Sequence, residues 1–191
     1  MTKDDIITLP APQLRQKSAK VHVVTPDTEE LIADMVSAAL DWEDSRPHEI
    51  SAALAAVQID RLERIVIVRS DFDDKLVRDF TTLINPEIVK YEGEVTHDYE
   101  GCLSVSNIYG KVPRYSKIRI KALNEQGEEV RFKAEGFLAR VIQHEVDHTN
   151  GIVFIDHIQD KTDAFYTLDE KGELEPLDYH EHIEKNSILW Q

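Results

Sequence analysis

Two segments of the 191-residue chain carry apolar residues at helical spacing. The first follows Thr25-Pro26, a typical helix start with threonine as N-cap and proline in the first turn. It predicts a helix that ends near Trp42 and has an apolar face of Leu31, Ile32, Met35, Val36 and Ala39. The second predicts a helix buried on most sides, with apolar positions at Phe137, Leu138, Val141, Ile142 and Val146.

Shorter apolar or alternating stretches predict strands at residues 65–68, 83–89 with a break at Pro86, 118–123, 130–133 and 152–155. The turn at 124–128 joins two of them into a hairpin. Beyond residue 160 we expect a second hairpin, a short helix from Asp178, and a C-terminal Leu189-Trp190 that docks on the body. Strands combined with one buried helix indicate an α+β fold, with mainly antiparallel sheets packed around that central helix.

The buried helix carries His144-Glu145-Val146-Asp147-His148. Residues four apart share one helix face, with Cβ atoms about 6 Å apart, so His144 and His148 can converge on one metal ion. Glu145 can then act as general base on a metal-bound water. An exposed helix with two solvated histidines is the alternative, but buried polar side chains without a partner are costly. The pattern therefore favours a metal site.

The third ligand decides the kind of metalloenzyme. A metzincin has a histidine six residues after the second one, where this chain has Phe154. The candidates for a thermolysin-like ligand, Glu170 and Glu173, lie in or beside a predicted turn rather than on a helix. Cys102 is the only cysteine, and its thiolate with two histidines would leave a fourth position open for water. A buried, inert cysteine is the alternative.

Three motifs in this order resemble the peptide deformylase family. They are Ser51-Ala52-Ala53-Leu54-Ala55-Ala56-Val57-Gln58, Glu100-Gly101-Cys102-Leu103-Ser104 and Gln143-His144-Glu145-Val146-Asp147-His148. The resemblance covers about residues 5–160. It implies a catalytic domain over residues 1–160, with residues 161–191 as a C-terminal extension packed on the same domain.

The resemblance implies a metal-dependent hydrolase that removes the N-formyl group from the formylmethionine of newly made polypeptides. Cys102, His144 and His148 would hold one divalent ion per chain. Fe²⁺ is the expected native ion, and such a site also accepts Zn²⁺, Ni²⁺ or Co²⁺. Glu145 would move the proton, while the Gln58 amide and the Leu103 backbone N–H would stabilise the oxyanion. The expected substrate-binding residues are Ala52, Ala53 and Gly101.

The first motif departs from the family at two positions, since Ser51 and Ala53 stand where glycines are usual. A Cβ restricts the close approach of backbone to a ligand. The departure therefore leaves a second interpretation, a catalytically weak homologue that binds formylated or acylated N-termini. A zincin-type endoprotease is a more distant third, disfavoured by Phe154 and Cys102.

Composition adds few limits. The formal charge of −15 argues against general nucleic-acid binding, so any docking near the ribosome exit would need a local patch. The sequence has no apolar run long enough for a membrane span, its N-terminus resembles no targeting signal, and one cysteine suits a reducing compartment. We therefore expect a cytoplasmic enzyme. His180 and His182 are expected to be solvated rather than a second metal site.

Overall fold

A computed structural model of the chain describes residues 1–46 and 48–190. Its helices are α1 Pro26–Asp44, α2 Gly136–His148 and α3 Tyr179–His182. Its strands are β1 Ala53–Ala55, β2 Ile65–Arg69, β3 Phe80–Cys102, β4 Val105–Leu123, β5 Glu129–Glu135, β6 Phe165–Leu168 and β7 Leu174–Pro176. Short 3-10 turns lie at Lys3–Asp5, Pro12–Arg15, Ala56–Ile59 and Phe154–His157.

The strands of the described residues form one sheet in the order β1-β2-β3-β4-β6-β7, with β5 also paired to β4. Every pair of these strands is antiparallel. The predicted α+β class with an antiparallel sheet is therefore confirmed. None of the helices in the described ranges has the length and apolar character needed to span a membrane.

Alternation along β1 and β2 separates two layers of core. Val66 and Val68 face a cluster that includes Val141 and Val146 of α2, while Ile65 and Ile67 face a cluster formed largely by α1. Successive side chains of a strand point to opposite faces, so these short strands are covered on both sides. Helix α1 and helix α2 therefore pack on opposite faces of β1 and β2.

The predicted α1 is confirmed, with Thr25 as N-cap, and it extends two residues beyond Trp42. The strand predicted at 83–89 is instead the start of the 23-residue β3, which continues through Pro86. A shift of register between Ile84 and Glu87 accommodates the proline, and Asn85 there has a positive φ of 53°. A bulge can take up a residue that cannot donate to the ladder, so the strand is not broken.

Two other sequence predictions are wrong. Residues 152–155 do not form a strand, because Phe154 and Ile155 enter a 3-10 turn that buries both side chains. A short apolar run signals burial but does not distinguish a strand from a helical turn. Phe137 is 49% exposed although it was assigned to the buried face of α2. It lies at the first turn of the helix and packs edge-on against Phe72.

The C-terminal residues follow the predicted plan, with hairpin β6–β7 and the short α3 capped by Asp178. Phe165, Ile183 and Leu189 share a buried cluster with Leu14 and Val112 from the body of the protein. The Trp190 indole N–H donates to the carbonyl of Ile183. The chain end is thus docked through 190, and Gln191 lies outside the described residues.

Candidate metal centre and active site

Three side chains that could bind a metal ion meet where β3 ends beside α2. The ligand atoms of Cys102, His144 and His148 all lie within 4.8 Å of one another. Cys102 Sγ is 3.2 Å from Nε2 of His148. The long hairpin carries Cys102 to the helix, and the helical repeat places both histidines on one face. The structure therefore brings together the three ligands that the sequence predicts.

A buried carboxylate orients the first histidine. Glu100 Oε2 lies 3.0 Å from Nδ1 of His144, which leaves the other ring nitrogen directed at the cluster. Arg114 donates to both oxygens of Glu100, at 3.0 and 3.1 Å, and Arg140 adds a third guanidinium contact of 2.7 Å. Burial alone raises the pKa of Glu100, but His144 and Arg114 reverse this and hold it below the usual range. In many metal sites a carboxylate accepts the N–H of the histidine ring nitrogen that does not bind the metal.

The two histidines of the cluster have opposite electrostatic environments. Burial lowers the pKa of His144, yet the Cys102 thiol and the Glu100 carboxylate outweigh it and raise that pKa well above its usual value. Burial and the neighbouring His144 lower the pKa of His148, which keeps its imidazole neutral as a metal ligand must be. Cys102 and Glu100, the groups that stabilise positive charge on His144, would likewise stabilise a bound cation.

Glu145 is buried beside the cluster. Its side chain is 4% exposed, and its Oε2 atom has no hydrogen-bond partner among the described residues. Burial raises the pKa of Glu145 to about 7. A carboxyl group that titrates near neutrality can both take and give a proton at physiological pH.

The Gln58 amide is held in one orientation. Its Oε1 accepts the backbone N–H of Ala55 at 2.8 Å, so its NH₂ group faces the cluster. Nε2 donates to Ser104 Oγ at 3.2 Å and lies 3.6 Å from Cys102 Sγ. The amide is therefore bonded to a side chain as well as to the backbone.

A cavity of about 250 Å³ opens over these groups. Ala52, Ala53, Gly101 and Leu103 all line it, together with Gln58, His144 and Glu145. Its apolar wall comes from residues that the sequence did not single out for the site, namely Trp42, Ile50, Val105, Phe137 and Val141. The exposure of Phe137 at the mouth of the cavity explains why the helical pattern misassigned it.

The remaining charged residues of the motifs have structural contacts. Asp147 faces away from the cavity and bonds to Arg114 and to His157, at 2.5 and 2.7 Å. Glu100 and Arg114 form a buried ion pair. His180 and His182 are exposed, with His180 paired to Glu184, and Glu170 lies in the β6–β7 turn. The candidate thermolysin-like ligand therefore lies outside the cluster.

The family model described as polypeptide deformylase matches residues 3–164. The chain belongs to the peptide deformylase family. A peptide deformylase of Thermomicrobium roseum is 42% identical over 173 residues, which cover 88% of this chain and 93% of that protein. Peptide deformylase 1 of Bacillus subtilis is 35% identical, covering 92% of this chain and 99% of the relative.

Solved deformylase structures share the fold. The enzyme of Synechococcus elongatus in complex with actinonin has a TM-score of 0.73 and 29% identity, covering 82% of this chain and 80% of that one. The Met-Ala-Ser-bound enzyme of Acinetobacter baumannii has a TM-score of 0.70 and 30% identity, covering 80% of this chain and 96% of that one.

Membership of this family gives the activity of the chain. The chain is a peptide deformylase, a hydrolase that removes the N-formyl group from the formylmethionine of newly made polypeptides. The family is metal-dependent, and the Cys-His-His cluster is the group of described residues that could hold the ion. The resemblance drawn from the three motifs is thereby confirmed.

Proposed function

We propose that Cys102, His144 and His148 hold a single divalent cation, with Fe²⁺ as the native ion and Zn²⁺, Ni²⁺ or Co²⁺ as possible replacements. Three observations support this fit: the 4.8 Å spread of the donor atoms, the field that favours positive charge at His144, and the unpartnered Oε2 of buried Glu145. One thiolate and two imidazoles are a donor set suited to these borderline ions. When bound, the cation would supply Lewis acidity that makes a water molecule a nucleophile near neutral pH. The helix α2 would then be the metal-binding helix of the fold.

Glu145 is the proposed proton carrier. It accepts a proton from the attacking water and delivers it to the amine of methionine as the C–N bond of the formamide breaks. Its pKa of about 7 and its burial support the assignment, because both transfers must occur without competing solvent. Formate and a free α-amino group are the products.

Gln58 and Leu103 are the proposed oxyanion donors. The carbonyl oxygen of the formyl group gains charge when the nucleophile adds, and a preorganised donor stabilises it by about 3 kcal/mol. The Gln58 amide cannot turn freely, since its oxygen is bonded to the Ala55 N–H. The Leu103 N–H follows directly after the proposed ligand Cys102, and Leu103 lines the cavity.

Ala52, Ala53 and Gly101 are the proposed contacts for the substrate backbone, and the apolar wall of the cavity accommodates the methionine side chain. The methyl group of Ala53 belongs to the cluster that includes Val66 and Val141, and only 5% of the residue is exposed. A Cβ that packs into the core does not compete with a ligand for space. This favours a competent enzyme over a weak binding homologue.

The decisive experiment compares Glu145→Ala with the wild type in formate release from formyl-Met-Ala-Ser, with metal content measured on the same anaerobic samples. We expect about one metal per chain in both proteins and a loss of at least ~10²-fold in turnover, the usual scale for a missing general base. Loss of the metal together with activity would make Glu145 a ligand instead. Wild-type protein that binds the formyl peptide without releasing formate would establish the binding homologue.

The proposed setting is the cytoplasm, with the newly made polypeptide as partner and any ribosome contact confined to a local patch. The charge of −15 and the reduced Cys102 are consistent with this setting. We propose residues 1–160 as the catalytic domain and 161–191 as an extension packed on it. The shared cluster of Phe165, Ile183 and Leu189 with Leu14 supports one cooperative unit.

A further inference from the structure

A buried ion pair lies directly behind the segment that leads into β1. Glu43, in the last turn of α1, and Arg69, at the end of β2, approach to 2.5 Å, with side chains 1% and 0% exposed. Buried charges of this kind are costly unless each is fully bonded, so their presence calls for a reason. Neither residue belongs to the three motifs, and neither lines the cavity.

Glu43 binds the backbone of residues 51–53 through its side chain, and Arg69 binds it through its main chain beside the β1–β2 pairing. The second contact of Glu43 Oε2 is the backbone N–H of Ser51, at 2.9 Å. The backbone N–H of Arg69 donates to the carbonyl of Ala52 at 2.8 Å. One N–H and one C=O of consecutive residues are therefore fixed by two residues that do not line the cavity, whereas Ala52 and Ala53 do.

The guanidinium of Arg69 is itself held by a loop. Its Nε donates to the carbonyl of Asp71 at 3.0 Å, and its second terminal nitrogen donates to the carbonyl of Lys75 at 2.7 Å. Three groups in fixed directions orient a planar guanidinium in a way that a lysine ammonium cannot reproduce. The pair therefore ties the end of α1, the loop after β2 and the segment 51–53 into one rigid unit.

We propose that Glu43 and Arg69 are positioning residues of this deformylase, which set the backbone of residues 51–53 for contact with the peptide substrate. The segment carries Ser51 and Ala53 at positions where the family has glycines, and Ser51 is fully buried. Serine and alanine allow the backbone less freedom than glycine, so the segment cannot readjust easily to a bound peptide and must be held in the binding conformation beforehand. The contacts of Glu43 and Arg69 supply that support. The inference rests on the proposed function, since it takes residues 52 and 53 as substrate contacts.

The test compares two double variants that both remove the charges. In Glu43→Met/Arg69→Met, the Ser51 N–H loses its acceptor. In Glu43→Gln/Arg69→Met, an amide oxygen remains to accept it. Replacing both members of a buried pair by side chains of similar volume avoids an isolated buried charge, so folding is not the expected point of failure. Arg78→Met is the matched control, because Arg78 pairs at 2.9 Å with Asp44, the exposed neighbour of Glu43 on the same helix.

For the double methionine variant we expect KM for formyl-Met-Ala-Ser to rise at least about tenfold, with a smaller change in kcat and unchanged metal content. The glutamine variant should recover most of that loss, and the Arg78 control should match the wild type. A merely structural pair would lower thermal stability and leave KM of the folded enzyme unchanged, and that result would overturn the proposal. Equal KM values in the two double variants would overturn it as well.

A substitute variant and the activity of the controls cover the cases in which the double variant fails. If the double methionine variant does not fold, Arg69→Lys takes its place, because lysine keeps a charge beside Glu43 but cannot hold the two loop carbonyls. A raised KM there supports the proposal, and a wild-type KM refutes it. Failure of the proposed function is recognised separately, since wild type and the Arg78 control would then release no formate from the peptide.

Discussion

Replacing Glu100 by glutamine tests how the metal centre is supported. The residue is buried and contacts His144, the Nε and one terminal nitrogen of Arg114, and Arg140. Glutamine has almost the same shape as glutamate but no charge. Both oxygens of Glu100 accept N–H groups, so the NH₂ group of glutamine would face a donor and could not bond to it. Two buried guanidinium groups would lose their shared counter-charge, while Arg114 would keep Asp147.

The magnitude follows from these contacts. Breaking a buried pair by neutralising one partner costs about 3–5 kcal/mol, and the remaining bond to Asp147 places the expected loss near ~3 kcal/mol. For a chain of this length each kcal/mol lowers Tm by about 2–4 °C, so we expect a decrease of about 6–12 °C. Since the bond to His144 also orients the ligand, metal affinity should fall by about 10- to 100-fold.

The assay pairs thermal unfolding of the metal-loaded protein with a competition titration against a chelator. Glu92→Gln is the matched control, because Glu92 lies on the same strand and accepts two bonds from Arg119, at 2.6 and 3.0 Å, but on the surface. An exposed pair contributes about 1 kcal/mol or less, so the control should keep its metal and nearly all of its stability. Equal losses in the two variants, or wild-type metal affinity in Glu100→Gln, would refute the reasoning.

Two other predictions concern residues inside the cavity. Gln58→Ala should lower kcat by about 10²–10³-fold with metal content unchanged, measured by formate release and metal analysis, and an unchanged kcat would remove Gln58 from the oxyanion site. Cys102 should react slowly with a thiol reagent until chelator is added, and Cys102→Ser should retain metal poorly. Equal labelling rates with and without chelator would exclude Cys102 as a ligand.

Elements with local signals were predicted well from the sequence. Helix α1 follows from Thr25-Pro26 and its apolar face, and the β4–β5 hairpin follows from clean alternation around the turn at 124–128. Much of the β3–β4 hairpin has no such signal. Residues 91–99 are largely exposed on both faces, so no alternation of apolar and polar positions marks them as strand.

The site divides in the same way. Helical spacing indicates His144, Glu145 and His148 as candidates, and the motifs indicate Cys102 and Gln58. The contact of Arg140 with Glu100, which supports His144, could not be found this way. Arg140 is eight residues before His148 yet bonds to Glu100 across the sheet, because only the folded hairpin brings the two strands and the helix together.

The pair of Glu43 and Arg69 shows why such supports escape sequence reasoning. The residues are 26 positions apart, and each looks like an ordinary surface charge at the end of a helix or strand. Only their burial and their bonds to the backbone around Ser51 and Ala52 reveal a connection with the cavity. A motif records the residues that meet the substrate, whereas the residues that hold those in place depend on tertiary contacts. Substitutions within a motif, such as the serine and alanine here, are therefore best interpreted together with what lies behind them.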